Sequence, residues 1–209
     1  MGIVVSQDLP LVSILKANDL LIANFYMPTD LSKFDPGDYR AGPRLKVLLW
    51  YFVNYYVFAS AFPWPYGLKT WLLRRFGARV GVGLVIKPKV RIKNPWRLTI
   101  GDHCWLGESV WIDNLADVAI GSHVSVSQGA LLLTGNHDYT APSFPYRLGA
   151  IQIEDGVWVG ARSVVCPGVV CGAHAILTVG SVATKSLDAW RIYAGNPAVF
   201  VRERRMQPA

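Results

Sequence analysis

This sequence predicts a mainly β coil of short stacked strands, and three observations predict it. Over residues 100–185 an aliphatic or small residue recurs at every sixth position: Ile100, Leu106 and Ile112, then Ile120, Val126 and Leu132, then Ile153, Val159 and Val165, then Cys171, Leu177 and Ala183. Glycine follows that residue directly at Gly101, Gly107, Gly121, Gly160 and Gly172. The fifth position of each hexad is mostly small or β-branched: Cys104, Val110, Ala116, Val124, Ala130, Val157, Ser163, Val169, Ala175 and Ser181. A period of six matches neither an α-helix nor a flat strand. Three hexads close one triangular turn with two side chains per hexad pointing inward, and stacked turns bury one continuous core. That is a left-handed parallel β-helix of hexapeptide repeats, here preceded by an N-terminal helical segment.

The elements follow in chain order. Residues 1–42 are irregular, apart from an apolar stretch over 11–26 that suits one amphipathic helix. Residues 46–62 are densely apolar and aromatic, with Val47 to Phe58 interrupted only by Asn54. As a helix they span ~24 Å at ~1.5 Å per residue, short of the ~30 Å of a bilayer core. Pro63 and Pro65 end this stretch, and 68–76 mix Trp71, Leu72 and Leu73 with Lys69, Arg74 and Arg75. Such a mixture suits either a helix packed on the coil or a peripheral contact with anionic lipid. The hexads start imperfectly at Val80 and become regular at Ile100. A first interruption bulges over 114–118, and a second, longer excursion over 137–150 leaves the coil with Tyr139, Phe144 and Tyr146 in it. After Lys185 the repeat stops. Three segments result: 1–79, a helical and aromatic extension; 80–187, the coil; and 188–209, a C-terminal tail.

The chain of 209 residues, 52% apolar, is long enough for a single-domain core. Its formal charge of +7 favours anionic partners, but no nucleic-acid-binding motif frames the basic residues, so no nucleic-acid partner is expected. Cys104, Cys166 and Cys171 occupy positions that suit buried, reduced thiols. The first ten residues lack the positive charge of a signal peptide, and the expected location is the cytoplasm.

The repeat also sorts the histidines. His103, His123 and His174 all stand at the fourth, corner position of a hexad, where exposed polar residues are ordinary. His137 stands where the sixth hexad is abandoned, at the foot of the aromatic loop. An imidazole changes charge near pH ~6.5 and can take a proton from an alcohol and return it, so His137 is the candidate general base. Three converging zinc ligands are not apparent in the spacing, and no metal is expected.

The repeats, the segment Thr134-Gly135-Asn136-His137-Asp138, the later Val157-Trp158-Val159-Gly160-Ala161 and Val165-Cys166-Pro167-Gly168-Val169, and the ending Gly195-Asn196-Pro197-Ala198 resemble hexapeptide-repeat O-acetyltransferases. Arg40-Ala41-Gly42-Pro43, Leu72-Leu73-Arg74-Arg75-Phe76-Gly77-Ala78 and Asn94-Pro95-Trp96-Arg97-Leu98-Thr99-Ile100-Gly101 bring the chain nearest to the colanic acid biosynthesis acetyltransferases within that group. The likeness spans about residues 34–205. It implies acetyl-CoA as co-substrate, a homotrimer, a saccharide acceptor and an active site between subunits.

By the same resemblance, His137 takes the acceptor proton and the backbone N–H of Ala161 holds the oxyanion. Trp158, Val179, Thr184, Lys185 and Arg202 line the coenzyme. Asp113 and Asn114 face the acceptor, and Asp138, Tyr139, Phe144 and Tyr146 offer it further contacts. Several relatives carry Pro after the catalytic histidine, whereas Asp138 follows here, so acceptor identity does not carry over. The expected activity is O-acetylation of a sugar hydroxyl in exopolysaccharide or glycolipid assembly. The alternatives are N-acetylation of an amino-sugar or antibiotic, and a non-catalytic coil serving as a scaffold. A lipid-linked acceptor would draw the protein to the inner membrane face through residues 46–76.

Overall fold

The computed structural model describes residues 27–207, and the helix expected over 11–26 lies outside them. Two compact units are formed. In the smaller, residues 27–37 associate with 138–145. Asp30 caps the 3-10 turn Leu31–Lys33 by accepting from the Ser32 N–H, and its own N–H donates to the Pro142 carbonyl at 2.8 Å. The larger unit, residues 38–137 and 146–207, holds the coil.

The coil has three parallel faces. The first stacks Arg79–Val80, Leu98–Ile100, Val118–Ile120, Ile151–Ile153 and Val170–Cys171. The second stacks Val85–Ile86, Trp105–Leu106, Ser125–Val126, Trp158–Val159, Ile176–Leu177 and Arg191–Gly195, and Ala198–Glu203 folds back antiparallel to end it. The third stacks Arg91–Ile92, Trp111–Asp113, Leu131–Leu133, Val164–Val165 and Val182–Ala183. All twelve predicted first-position residues from Ile100 to Ala183 are buried, and so are the fifth-position residues except Ala116. Ala116 fails because it belongs to the bulge, where Leu115 is buried instead, against Gly135 at the root of the excursion. Ser163 and Ser181 point inward without cost, since Ser163 Oγ donates to the Thr178 carbonyl at 2.7 Å and Ser181 Oγ accepts from the Gly195 N–H at 3.0 Å. The three thiols are free. Burial, with a smaller contribution from Glu154, pushes the Cys171 thiol up to about 12, and burial also raises those of Cys104 and Cys166.

At two of its three edges the coil turns with a residue in the left-handed region. At the corner between the first and second faces these are Gly83, His103, His123, Gly156 and His174. The three histidines make a packing column: His103 stacks on His123 at 5.4 Å and His174 on Trp190 at 4.1 Å. Gly156 has no side chain because a Cβ there would lie 2.2 Å from His174 Nδ1. These histidines therefore fill a corner.

The helical segment is a lid on the open first turn. Helix α1 (Arg44–Val53) runs into a π-turn at Asn54–Phe58, and α2 (Tyr66–Arg75) follows. An uncovered strand edge exposes unpaired backbone groups, and this lid satisfies them one by one. Trp50 Nε1 donates to the Ile92 carbonyl at 2.8 Å, while Asn54 Oδ1 accepts from the Ile92 N–H at 3.2 Å. Lys69, wholly buried, donates from Nζ to the Ile86 and Lys87 carbonyls at 3.2 and 3.1 Å, and burial lowers its pKa. Lys69 thus serves the fold and cannot meet lipid, contrary to the sequence expectation. Lys69→Met leaves both carbonyls unpaired and should lower unfolding stability by about 2 kcal/mol in urea titration.

Candidate active site

His137 sits on a short ribbon that leaves the coil. Gly135–His137 pairs antiparallel with Tyr146–Leu148, so the excursion begins two residues before the predicted 137. The pairing sets Tyr146 opposite His137 with ring centres 4.9 Å apart, and Tyr39 packs edge-on against Tyr146 at 5.5 Å. The His137 N–H donates to Asn136 Oδ1 at 2.8 Å. Thr134 ties the ribbon's root to the bulge of the preceding coil: its Oγ1 donates to the Asp113 carbonyl at 3.0 Å and accepts from the Ala116 N–H at 3.0 Å. A Cβ at Gly135 would lie 2.5 Å from Leu115 Cδ1, so a larger residue there would push the leucine's free end aside.

The predicted pair at the bulge divides its duties. Asn114 is fully buried, accepting from the Asn94 N–H at 2.9 Å and donating from Nδ2 to the Asn94 carbonyl at 2.7 Å. Its carboxamide is spent on holding two coils in register. Asp113, largely buried, has Oδ1 2.9 Å from Lys93 Nζ, an ion pair outside hydrogen-bonding geometry. Sequence reading missed Lys93 and Asn94, although they stand twenty residues before Asp113 and Asn114, one coil away. It also missed Thr134 as the tie and Tyr39 as the second ring of the cluster.

Ala161 and Val179 lie on a different edge, where the second face turns into the third. Each corner there is a turn closed by an i to i+3 bond, such as Ser163 N–H to the Gly160 carbonyl at 3.3 Å, with a positive φ at the third residue (Arg162, +55°). That combination defines a type II turn, whose second residue aims its N–H outward. Among the described residues the N–H groups of Glu108, Gln128, Ala161 and Val179, the second residues of successive corners, find no acceptor. The edge between the first and second faces is built oppositely. There four of the six corresponding N–H groups, those of Val82, Asp102, Ser122 and Ala173, are taken by side chains of the adjoining coil, Asp102, Ser122, Asp155 and Glu154, while those of Asp155 and Ala189 are taken by no described residue. One edge is closed at four of its corners by its own side chains, and the other presents an unbroken row of donors from Glu108 to Val179. Trp158 flanks the open edge, half-exposed, its Nε1 donating to Ser127 Oγ at 2.8 Å.

The remaining predicted residues are dispersed. Thr184 and Lys185 are exposed just past the third face, on the same edge as the root of the His137 ribbon. Arg202 is exposed on the last strand, beside Ile192. Asp138, Tyr139 and Phe144 belong to the smaller unit. The Asp138 carboxylate accepts from the Thr140 N–H at 3.0 Å, and Tyr139 is largely exposed. His137 and the Ala161 N–H therefore stand at opposite edges of the third face, which is about five residues or roughly 16 Å wide. Among the described residues no group of His, Cys, Asp and Glu gathers as a metal site.

No protein-family model matches the chain. It is 39% identical over 176 residues to WcaF of Escherichia coli (strain K12), a protein assigned as an acetyltransferase of colanic acid biosynthesis, and the match covers 84% of this chain and 97% of WcaF. The fold is that of solved hexapeptide-repeat acetyltransferases. A protein of this kind from Vibrio cholerae O1 biovar eltor, complexed with acetyl coenzyme A, superposes with a TM-score of 0.68 at 21% identity, over 78% of this chain and 87% of that one. A galactoside acetyltransferase in complex with coenzyme A gives 0.69 at 22% identity, over 77% and 82%.

Proposed function

Because the chain belongs to the colanic acid biosynthesis acetyltransferase family of hexapeptide-repeat proteins, we propose that it transfers the acetyl group of acetyl-CoA to a sugar hydroxyl of an exopolysaccharide or glycolipid precursor. His137 accepts the proton of the acceptor hydroxyl, and the oxygen attacks the thioester carbonyl carbon. The tetrahedral oxyanion is held by the Ala161 N–H. Collapse breaks the carbon–sulfur bond, and the imidazolium returns its proton to the departing thiolate. No acyl-enzyme forms on cysteine, in keeping with thiols whose ionisation burial suppresses.

The row of open N–H donors along one edge is the observation that carries this reading. An extended pantetheine arm has amide carbonyls that need such donors, and Val179 supplies the one next to Ala161. Trp158 walls the channel, while Thr184, Lys185 and Arg202 meet the coenzyme's tail and phosphates. On the acceptor side, Asp113 and Tyr146 offer carboxylate and ring contacts to a sugar; Tyr139 and Phe144 are the loop's own ring candidates, and Asp138 shapes that loop. Asn114 acts by fixing the bulge that presents Asp113.

Chemistry that uses both His137 and Ala161 requires them within bonding reach of one substrate, and a roughly 16 Å face separates them in one subunit. A homotrimer resolves this, since threefold closure sets the His137 edge of one copy against the Ala161 edge of the next. The enzyme works in the cytoplasm, at the inner membrane face when its acceptor is lipid-linked. Purified protein should be a trimer by light scattering. With acetyl-CoA it should add a base-labile acetyl ester to members of a panel of nucleotide sugars and lipid-linked saccharides, read by mass spectrometry. Acetyl transfer only to amino-sugars, giving base-stable amides, would replace O- with N-acetylation; a monomer at micromolar concentration would remove the shared site.

A further inference from the structure

From Val47 to Phe58, helix α1 and the π-turn after it are apolar or aromatic apart from Asn54, which bonds the coil. Trp50 and Phe58 are buried against the coil, yet Leu45, Leu48, Leu49, Phe52, Tyr55 and Tyr56 on the other side are all about half or more exposed. A helix apolar all round normally has both sides covered, by protein or by lipid. The lid's work on the coil uses one side only. Beyond it, Phe62 and Trp71 extend the exposed apolar surface onto α2.

Charge identifies what suits that surface. From residue 39 to residue 101 the sequence has twelve Lys or Arg and no Asp or Glu. Seven of the twelve are held within the fold: Lys69 and Arg74 to backbone carbonyls, Arg79 and Lys87 to the Thr99 and Tyr66 hydroxyls, and Lys89, Lys93 and Arg97 to Glu108, Asp113 and Asp117 of the next coil. Arg44, Lys46, Arg75 and Arg91 rim the apolar surface. On one side of α1 a groove of ≈ 540 Å³ sets Lys46 and Arg75 beside Leu45 and Leu49; on the other, one of ≈ 380 Å³ sets Arg91 beside Tyr51, Tyr55 and Tyr56. Exposed aliphatics at the centre, tyrosines around them and cations at the rim match the layers of a membrane surface: acyl chains, headgroup boundary and anionic phosphates. Two copies facing each other through this surface would oppose like charges with no acid in the segment to relieve them. No described helix is long and apolar enough to cross a membrane, so the contact is one that lies on the surface.

We infer that this protein docks on anionic bilayers through the outer side of α1 and the adjoining π-turn. The inference rests on the proposed function only for the reason to be there, a lipid-carried acceptor; the binding itself is independent of catalysis. Full-length protein is sedimented with phosphatidylcholine vesicles with and without phosphatidylglycerol, at low and high salt. Binding is expected on phosphatidylglycerol at low salt and should weaken as salt screens the charges. Arg44→Gln with Arg75→Gln should weaken it about 25-fold, near fivefold per charge. Leu48→Ser, Leu49→Ser and Phe52→Ser together should abolish it at either salt. Acetyl-CoA binding by calorimetry should be unchanged in all these variants, so a failure there tells against the catalytic reading and not against docking. Absence of vesicle binding at low salt, or full binding by the triple serine variant, would overturn the docking surface. A changed sedimentation coefficient of that variant without lipid would overturn it too, by making the face a contact between copies.

Discussion

His137→Ala is expected to lower turnover by ~10²–10⁴, the usual worth of a positioned general base, which is about 2.7–5.5 kcal/mol of barrier. Acetyl-CoA should still bind, because the donors at the Ala161 edge are untouched. The ribbon should survive as well: its ladder is made of backbone groups from Gly135 to His137, and Thr134 anchors its root through a hydroxyl. His103→Ala and His123→Ala are the controls. Both side chains stack at the corner between the first and second faces, away from the ribbon, and their loss should leave turnover near that of the parent. A His137→Ala enzyme that kept more than half of the parent's turnover would remove the base from the mechanism.

Ala161→Pro is expected to cost ~10²–10³ in turnover, the range seen when one oxyanion donor is deleted. Proline removes the N–H and little else, because the second residue of a type II turn already has the φ that proline imposes. The chain itself tests this compatibility: Pro88, at the matching corner one coil from Glu108, precedes Lys89 with φ +60°. Circular dichroism and trimer mass should therefore be unchanged while activity falls. Val179→Pro, one corner further along, should instead raise the KM for acetyl-CoA, since its N–H meets the arm and not the reacting carbonyl. Equal effects of the two substitutions on kcat and KM would remove the distinction between oxyanion donor and arm donor.

The two inactive variants also test the shared site when combined. If His137 of one subunit works with Ala161 of the next, refolding an equal mixture of His137→Ala and Ala161→Pro chains should restore about a quarter of the sites, those that draw an intact residue from each neighbour. A site complete within one chain restores none. Activity in the mixture that stays at the level of the separate variants would therefore place both residues on one subunit's own surface.

The repeat alone determined the coil, its inward residues and the exceptional position of His137. Side-chain direction in a short strand alternates strictly, so position within a hexad dictates burial without knowledge of any neighbour. The corner histidines were legible for the same reason. What lies between coils was not, because the spacing from one coil to the next varies with the bulge and the ribbon. Asn94 reaches Asn114 across twenty residues, but Ser122 reaches Asp155 across thirty-three. Only the folded register shows that Asn114 is spent on a neighbouring turn and that Lys69 plugs the first one. Tertiary structure likewise decided which edge is open. The N–H groups of Val82 and Ala161 occupy equivalent places in the hexad, yet one is taken by Asp102 and the other is not taken by any described residue. Whether an acceptor reaches such a donor depends on the side chain stacked one coil away, a pairing that the sequence sets only after the chain has closed its turns.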